Sequence, residues 1–243
     1  MVVVVVAAAG ARRFFRELCR AGLELTLPGA CPACGADSDG LCAPCRRQLM
    51  RRPAPGCRRC GEPITPSGRC LAPHAVLRNV RQLVAPLRFA GAGGMLVRSF
   101  KLGGDALAGR LLAREMADAW RRDGAAPRPT VVPVPLHRRR LRQRGFDQAR
   151  WLATRLGRSL RLRTASAVLA RVRATRPQGE ATVLSRTANV RGAFEVKRPR
   201  SVGGRDVLLV DDVFTSGATA RACAALLRAA GARSVSLLVA CRS

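Results

Sequence analysis

Past His74, short apolar runs alternate with longer charged stretches whose apolar positions recur every three or four residues. Residues 110–121 place Leu111, Leu112, Met116 and Ala119 along one helical stripe, with arginines and acids between them. Residues 130–134 are a β-branched run closed by Pro135, which predicts a strand. An arginine-rich loop is expected at 138–145, then a helix over 148–160. A second apolar strand over 207–210 leads to a helix over 220–230 that stops at Gly231. Strands alternating with helices argue for an α/β fold, a parallel sheet covered by helices on both faces. No repeat of 20 to 50 residues interrupts the pattern.

The first third of the chain has another texture. Eight of the ten cysteines fall between Cys19 and Cys70, and six of them form the Cys-x-x-Cys pairs Cys31/Cys34, Cys42/Cys45 and Cys57/Cys60. Two residues between thiolates make a knuckle that aims both sulfurs at one tetrahedral ion, and two knuckles close a structural zinc site. Cys31, Cys34, Cys42 and Cys45 are the clearest set. A second set would use Cys57, Cys60 and Cys70 with His74 as fourth ligand. A redox role for one pair would call for a helix start in a βαβ setting, whereas the surroundings are Pro, Gly and Arg. Cys19, Cys223 and Cys241 lie alone on apolar stretches and read as core residues. The expected division is an extension over 1–24, a zinc-ribbon-like module over 25–80, and a larger α/β domain over 81–243.

Composition changes this picture in two ways. At 48% hydrophobic over 243 residues, the chain can bury a core and is not a disordered protein. Its 44 basic against 15 acidic residues leave a net charge of +29, which calls for a polyanionic partner: nucleic acid, anionic lipid or a phosphorylated substrate. Residues 81–243 hold 32 cations and 10 acids, net +22, so the larger domain is the expected docking surface. Arg138, Arg139, Arg140 and Arg142 are candidates to track a phosphate backbone. Base stacking is disfavoured by the absence of tyrosine and 4% aromatic content. His137 beside this run reads as a solvated loop residue. The apolar run at 2–9 is too short to span a bilayer, and Arg12 and Arg13 follow it where a secretory signal would place charge before it. A cytoplasmic protein with no membrane insertion is expected, and in a reducing compartment clustered cysteines favour metal over disulfides.

The most informative stretch joins the strand at 207–210 to Asp211 and Asp212, then to Thr215, Ser216, Gly217, Ala218 and Thr219 at the start of a helix. Ligands of open α/β sheets bind where strands end, and helix amino termini present N–H groups to phosphate. Adjacent carboxylates suit the neighbouring hydroxyls of a ribose, while the hydroxyl-rich turn suits its 5′-phosphate. Other phosphate loops are rejected: neither Lys101 nor Lys197 follows a glycine, as a Walker loop requires, and residues 91–94 lack the Rossmann spacing.

Asp211-Asp212 with residues 215–219 resembles the phosphoribosyl pyrophosphate (PRPP) signature of type I phosphoribosyltransferases. Residues 131–136, the run from Arg144 to Gln148, Thr175 with Gln178, Arg186 with Asn189, and 192–194 are similar to the ComF family. The cysteine-rich module also resembles the one that precedes the transferase-like domain there, so the likeness covers about 31–242. Asp147 stands where that family often has Asn, and Ala181 where leucine is common. The resemblance implies a type I phosphoribosyltransferase-like sheet, with Asp211 and Asp212 holding the ribose hydroxyls as the catalytic acids and residues 215–219 holding the 5′-phosphate. It implies that Arg144 and Gly145 lie near the pyrophosphate end, that Gln178, Arg186 and Asn189 belong to a loop covering the site, and that Mg²⁺ accompanies PRPP. It further implies a link to natural competence and DNA uptake, with single-stranded DNA and competence-machinery proteins as partners. No residue identifies a nucleobase acceptor, so a phosphoribosyltransferase of nucleotide-salvage type and a PRPP-sensing protein both remain open.

Overall fold

The structure is a computed structural model that describes residues 29–52, 56–57, 59–70, 72, 77–124, 126, 128–173 and 192–243. A parallel sheet forms its centre. Strands β1 (Gln82–Val84), β2 (Leu87–Arg88), β3 (Thr130–Pro133), β6 (Asp206–Phe214) and β7 (Ser234–Arg242) make it up, in the order β1, β7, β6, β3 with β2 also on β7. Gln82 pairs with Ser236 and Leu87 with Cys241, the same register offset, so β1 and β2 are one edge line interrupted at Pro86. Proline has no N–H for the ladder, and the freed Pro86 carbonyl accepts from Arg52 N–H at 2.9 Å. A separate antiparallel ribbon joins β4 (Leu169–Arg171) to β5 (Phe194–Val196).

Alternate residues of the central strands feed two cores, which is why these strands read as continuous apolar runs. Val131, Leu208, Val210 and Leu238 pack on one side with Leu112 and Met116 of α3 (Ala106–Asp123) and Leu152 and Leu156 of α5 (Gln148–Leu160). Val132, Val207, Leu209 and Leu237 face the other side, against Cys223 and Leu227 of α6 (Ala218–Ala229). Helices therefore cover both faces, as the alternation of patterns predicts. Helix α3 opens on Asp105, whose carboxylate accepts from Leu107 and Ala108 N–H at 2.8 and 3.0 Å, and α5 opens on Asp147, which accepts from Arg150 N–H at 2.9 Å.

Three local expectations change. The segment expected as an arginine-rich loop is a helix, α4 (Arg138–Arg144). Arginine is a good helix former, His137 caps the start by accepting from Arg139 N–H at 3.2 Å, and Gly145 ends it at φ 77°, a left-handed conformation that favours glycine. His137 is thus a cap and not merely a solvated loop residue. The strand expected over 207–210 runs on to Phe214, because β7 continues beside it and pairs Asp211 with Val239 and Phe214 with Arg242. The following helix begins at Ala218, two residues earlier than its apolar stripe. Cys223 and Cys241 are buried core residues as read, while Cys19 lies outside the described residues.

Candidate functional site

The cysteine-rich segment folds through its sulfurs. Cys31, Cys34, Cys42 and Cys45 bring all four Sγ atoms within 4.8 Å of one another, and Cys57, Cys60 and Cys70 do the same. Sulfurs held tetrahedrally around zinc lie about 3.8 Å apart, given a Zn–S bond of about 2.3 Å. The Cys34–Cys42 and Cys60–Cys70 separations are 3.7 and 3.5 Å, so both donor sets fit a structural zinc. Burial alone would raise the Cys31 thiol, but backbone N–H groups of Cys42, Cys34 and Ala33 outweigh it and bring it down to about 6. A thiolate is what zinc requires. His74, expected as the second set's fourth ligand, lies outside the described residues.

This segment is docked on the sheet domain. Cys31, Leu41, Cys45 and Leu49 share a core with Leu87 and Leu96. Glu62, two residues past the Cys57/Cys60 pair, receives Arg242 at 2.9 Å, Arg52 at 3.1 Å and Arg88 at 3.9 Å, and Arg51 forks onto Glu115 of α3 at 2.6 and 3.1 Å.

A cleft opens at the carboxyl edge of β3 and β6, where the resemblance implies the phosphoribosyl ligand. Asp211, Asp212, residues 215–219, Arg140, Arg144, Asp147, Lys101 and Arg171 all line it. Strand β6 carries the acid pair within its paired length, so Asp212 is only 6% exposed and does not sit at a free loop end. Asp211 accepts from Asp212 N–H at 2.9 Å, and Asp212 is bridged by the Lys101 ammonium at 2.9 Å. Burial, together with the Asp212 charge, pushes the Asp211 carboxyl well above the usual carboxylate range against the pull of Lys101. The loop then turns through Gly217 at φ 72°, which only glycine adopts without strain, and aims the amino terminus of α6 into the cleft.

The four arginines proposed for DNA divide by position. Arg138, Arg139 and Arg142 are exposed, whereas Arg140 is half-buried and lines the cleft with Arg144. Burial and the Arg140 charge both lower Arg144, and the same two causes lower Arg171. Guanidinium groups stay charged, and Asp211 and Asp212 offset only part of this repulsion, so the cleft favours an entering anion. Gly145 ends α4 beyond the cleft lining, and Gln178, Arg186 and Asn189 lie outside the described residues. Lys101 and Arg171 were not marked by motif. The available signal for Lys101 was composition: it is one of two lysines among 44 basic residues.

Comparison with known proteins bears on both halves. Residues 22–73 match a double zinc ribbon domain and residues 143–243 a phosphoribosyl transferase domain. DNA utilization protein YhgH of Escherichia coli O157:H7 is 34% identical over 90% of this chain and 99% of its own length. The chain belongs to the ComF/YhgH family. The Salmonella typhi protein of the same name is 33% identical over 90% of this chain and 99% of its own. Competence protein F of Haemophilus influenzae is 28% identical over 81% of this chain and 88% of its own. Glutamine PRPP amidotransferase from B. subtilis covers 54% of this ComF/YhgH chain and 26% of its own, at 20% identity and a TM-score of 0.37, too distant to bear on function. Among the described residues, no helix is long and apolar enough to cross a membrane.

Proposed function

We propose that this protein binds PRPP or ribose 5-phosphate in the cleft at the carboxyl edge of the sheet, and that it serves competence-related handling of DNA in the cytoplasm. One observation carries the reading: an acid pair, a hydroxyl-rich helix start and a set of cations face the same cleft. Asp211 and Asp212 would accept from the ribose hydroxyls, Thr215, Ser216 and Thr219 would donate to the 5′-phosphate, and the amino terminus of α6 would favour its charge. Arg144, with Gly145 ending its helix, would meet the pyrophosphate end, and Gln178, Arg186 and Asn189 would cover the ligand. The carboxylates offer the oxygen donors that Mg²⁺ prefers, and when bound with PRPP that ion would offset charge on the ligand's oxygens. The exposed Arg138, Arg139 and Arg142 would carry single-stranded DNA, alongside proteins of the competence machinery.

A second reading, a phosphoribosyltransferase with an unassigned acceptor, is favoured by the cations themselves. Breaking the bond from the anomeric carbon to the pyrophosphate oxygen leaves negative charge on the leaving group, which Arg140 and Arg144, lining the same cleft, would offset. Calorimetric titration with PRPP and Mg²⁺ tests the binding. Asp211→Asn with Asp212→Asn should weaken it at least about tenfold, since the charged hydrogen bond at Asp212 is lost together with the one at Asp211. Unchanged affinity in that variant overturns the assignment. Pyrophosphate release on adding a panel of bases and DNA supports turnover, and binding without release supports sensing.

A further inference from the structure

Lys101 occupies an unusual place in an arginine-dominated chain. Forty-two of the 44 basic residues are arginine; the other lysine, Lys197, pairs with Glu195 at the surface. Lys101 alone of the two reaches the cleft, on a π-helical turn (Ser99–Gly103) between α2 (Gly91–Arg98) and α3. Such turns are rare and costly enough to call for a local cause. The backbone here is held on two sides. Phe100 is 1% exposed and packs its ring 5.3 Å from Phe146 and 5.1 Å from Trp151, and Gln148 donates to the Lys101 carbonyl at 3.4 Å. Gln148 in turn accepts from Arg144 at 3.2 Å, so the turn is tied to the end of α4 that faces the cleft. The side chain is freer, 30% exposed, with its ammonium 2.9 Å from Asp212 Oδ2.

That contact uses the carboxylate a ribose would need. The Asp212 side chain is only 9% exposed, so with Oδ2 held by the ammonium little of the carboxylate is open to a sugar hydroxyl, and ligand and lysine compete for it. A guanidinium would grip the carboxylate with two parallel bonds, while an ammonium on a four-carbon stem is a point charge that leaves and finds another anion nearby. We propose that Lys101 fills the ribose-diol position of the empty site and, when the sugar displaces it, swings to the pyrophosphate arm, so that it selects PRPP over ribose 5-phosphate. This rests on the phosphoribosyl reading given above. With ribose 5-phosphate the displaced ammonium has no new partner; with PRPP it gains one.

The test uses the full chain and both ligands. Lys101→Gln should weaken PRPP by roughly tenfold to a hundredfold, the loss of one charged hydrogen bond, while ribose 5-phosphate is held or improved. A measurement on the parent protein guards against a misfolded variant. Reductive ¹³C-methylation keeps the lysine charge and labels only Lys101, Lys197 and the chain's amino terminus. The Lys101 signal, assigned by its absence in Lys101→Arg, should move with ribose 5-phosphate and move differently with PRPP, while Lys197 stays. Equal losses for the two ligands in Lys101→Gln, or a Lys101 signal unmoved by PRPP that calorimetry shows to bind, overturns the proposal. A parent protein that binds neither ligand overturns the phosphoribosyl reading and this proposal with it.

Discussion

The cysteine-rich segment and the sheet domain solve the problem of stability differently. Among the described residues between Cys31 and Cys70 the chain is made of turns, isolated bridges and one five-residue helix, α1 (Ala43–Arg47), and the buried apolar residues are few. Its order comes from sulfurs gathered at two points and from a few side chains lent to the neighbouring core. The sheet domain has two full cores, one on each face of β6 and β7, and needs no ion to hold its strands. A motif of four ligands fixes a fold with little apolar surface, whereas a packed sheet is fixed by many weak contacts, no one of which is decisive.

Breaking the first region should give the largest effect. Chelation, or Cys34→Ser, should release zinc and unfold residues 29–52, because structural zinc supplies on the order of 10 kcal/mol of folding free energy. Hydrogen exchange should then show protection lost in that segment and kept at 206–214 and 234–242. Protection surviving in both regions in metal-free protein would refute the contrast.

Within the sheet domain, pH should act through the acid pair. The Asp211 carboxyl is pushed up to about 8 from its ordinary 3.8, first by burial and then by Asp212. The folded chain therefore keeps a proton that the unfolded chain releases, so this group's contribution is full below about pH 4 and is lost as pH rises toward 8. Asp211→Asn removes that loss. Denaturant unfolding should find the variant gaining on the parent between pH 5 and pH 8, by on the order of 1 kcal/mol or more. A pH-independent difference would show that the acid pair is not strained by its surroundings.

The smallest effect concerns the surface charge, which separates the regions at net +22 for 81–243 against +7 for 1–80. Changing Arg138, Arg139 and Arg142 to Ala should make the log–log salt dependence of single-stranded DNA binding shallower by roughly two units, at about 0.7 per phosphate contact. Because these three are exposed and outside the cleft lining, PRPP affinity should be kept. A slope left unchanged would remove α4 from the DNA-binding account.

Much of this was legible in order along the chain. Cysteine spacing announces its ligand sets because a knuckle is a local geometry, complete within four residues. The loop proposed for the 5′-phosphate is likewise local: strand, acid pair, hydroxyl-rich turn and helix follow one another from Val207 to Thr219. The arginine run misled because charge says nothing of backbone conformation, and only the cap at His137 and the turn at Gly145 reveal a helix. Lys101 stood out in composition, but its place in the cleft was not legible, for a different reason. It stands 111 positions before Asp212, and the two meet only because β6 and the turn after α2 bring their ends to one edge of the sheet. The sequence alone determined which local units exist and what chemistry each carries. Tertiary structure decided which units share a cleft, that Asp212 is buried within a paired strand, and that Arg140 faces inward while Arg139 faces solvent. Those outcomes depend on contacts between residues far apart in the chain, whose register is set by packing both faces of the sheet at once.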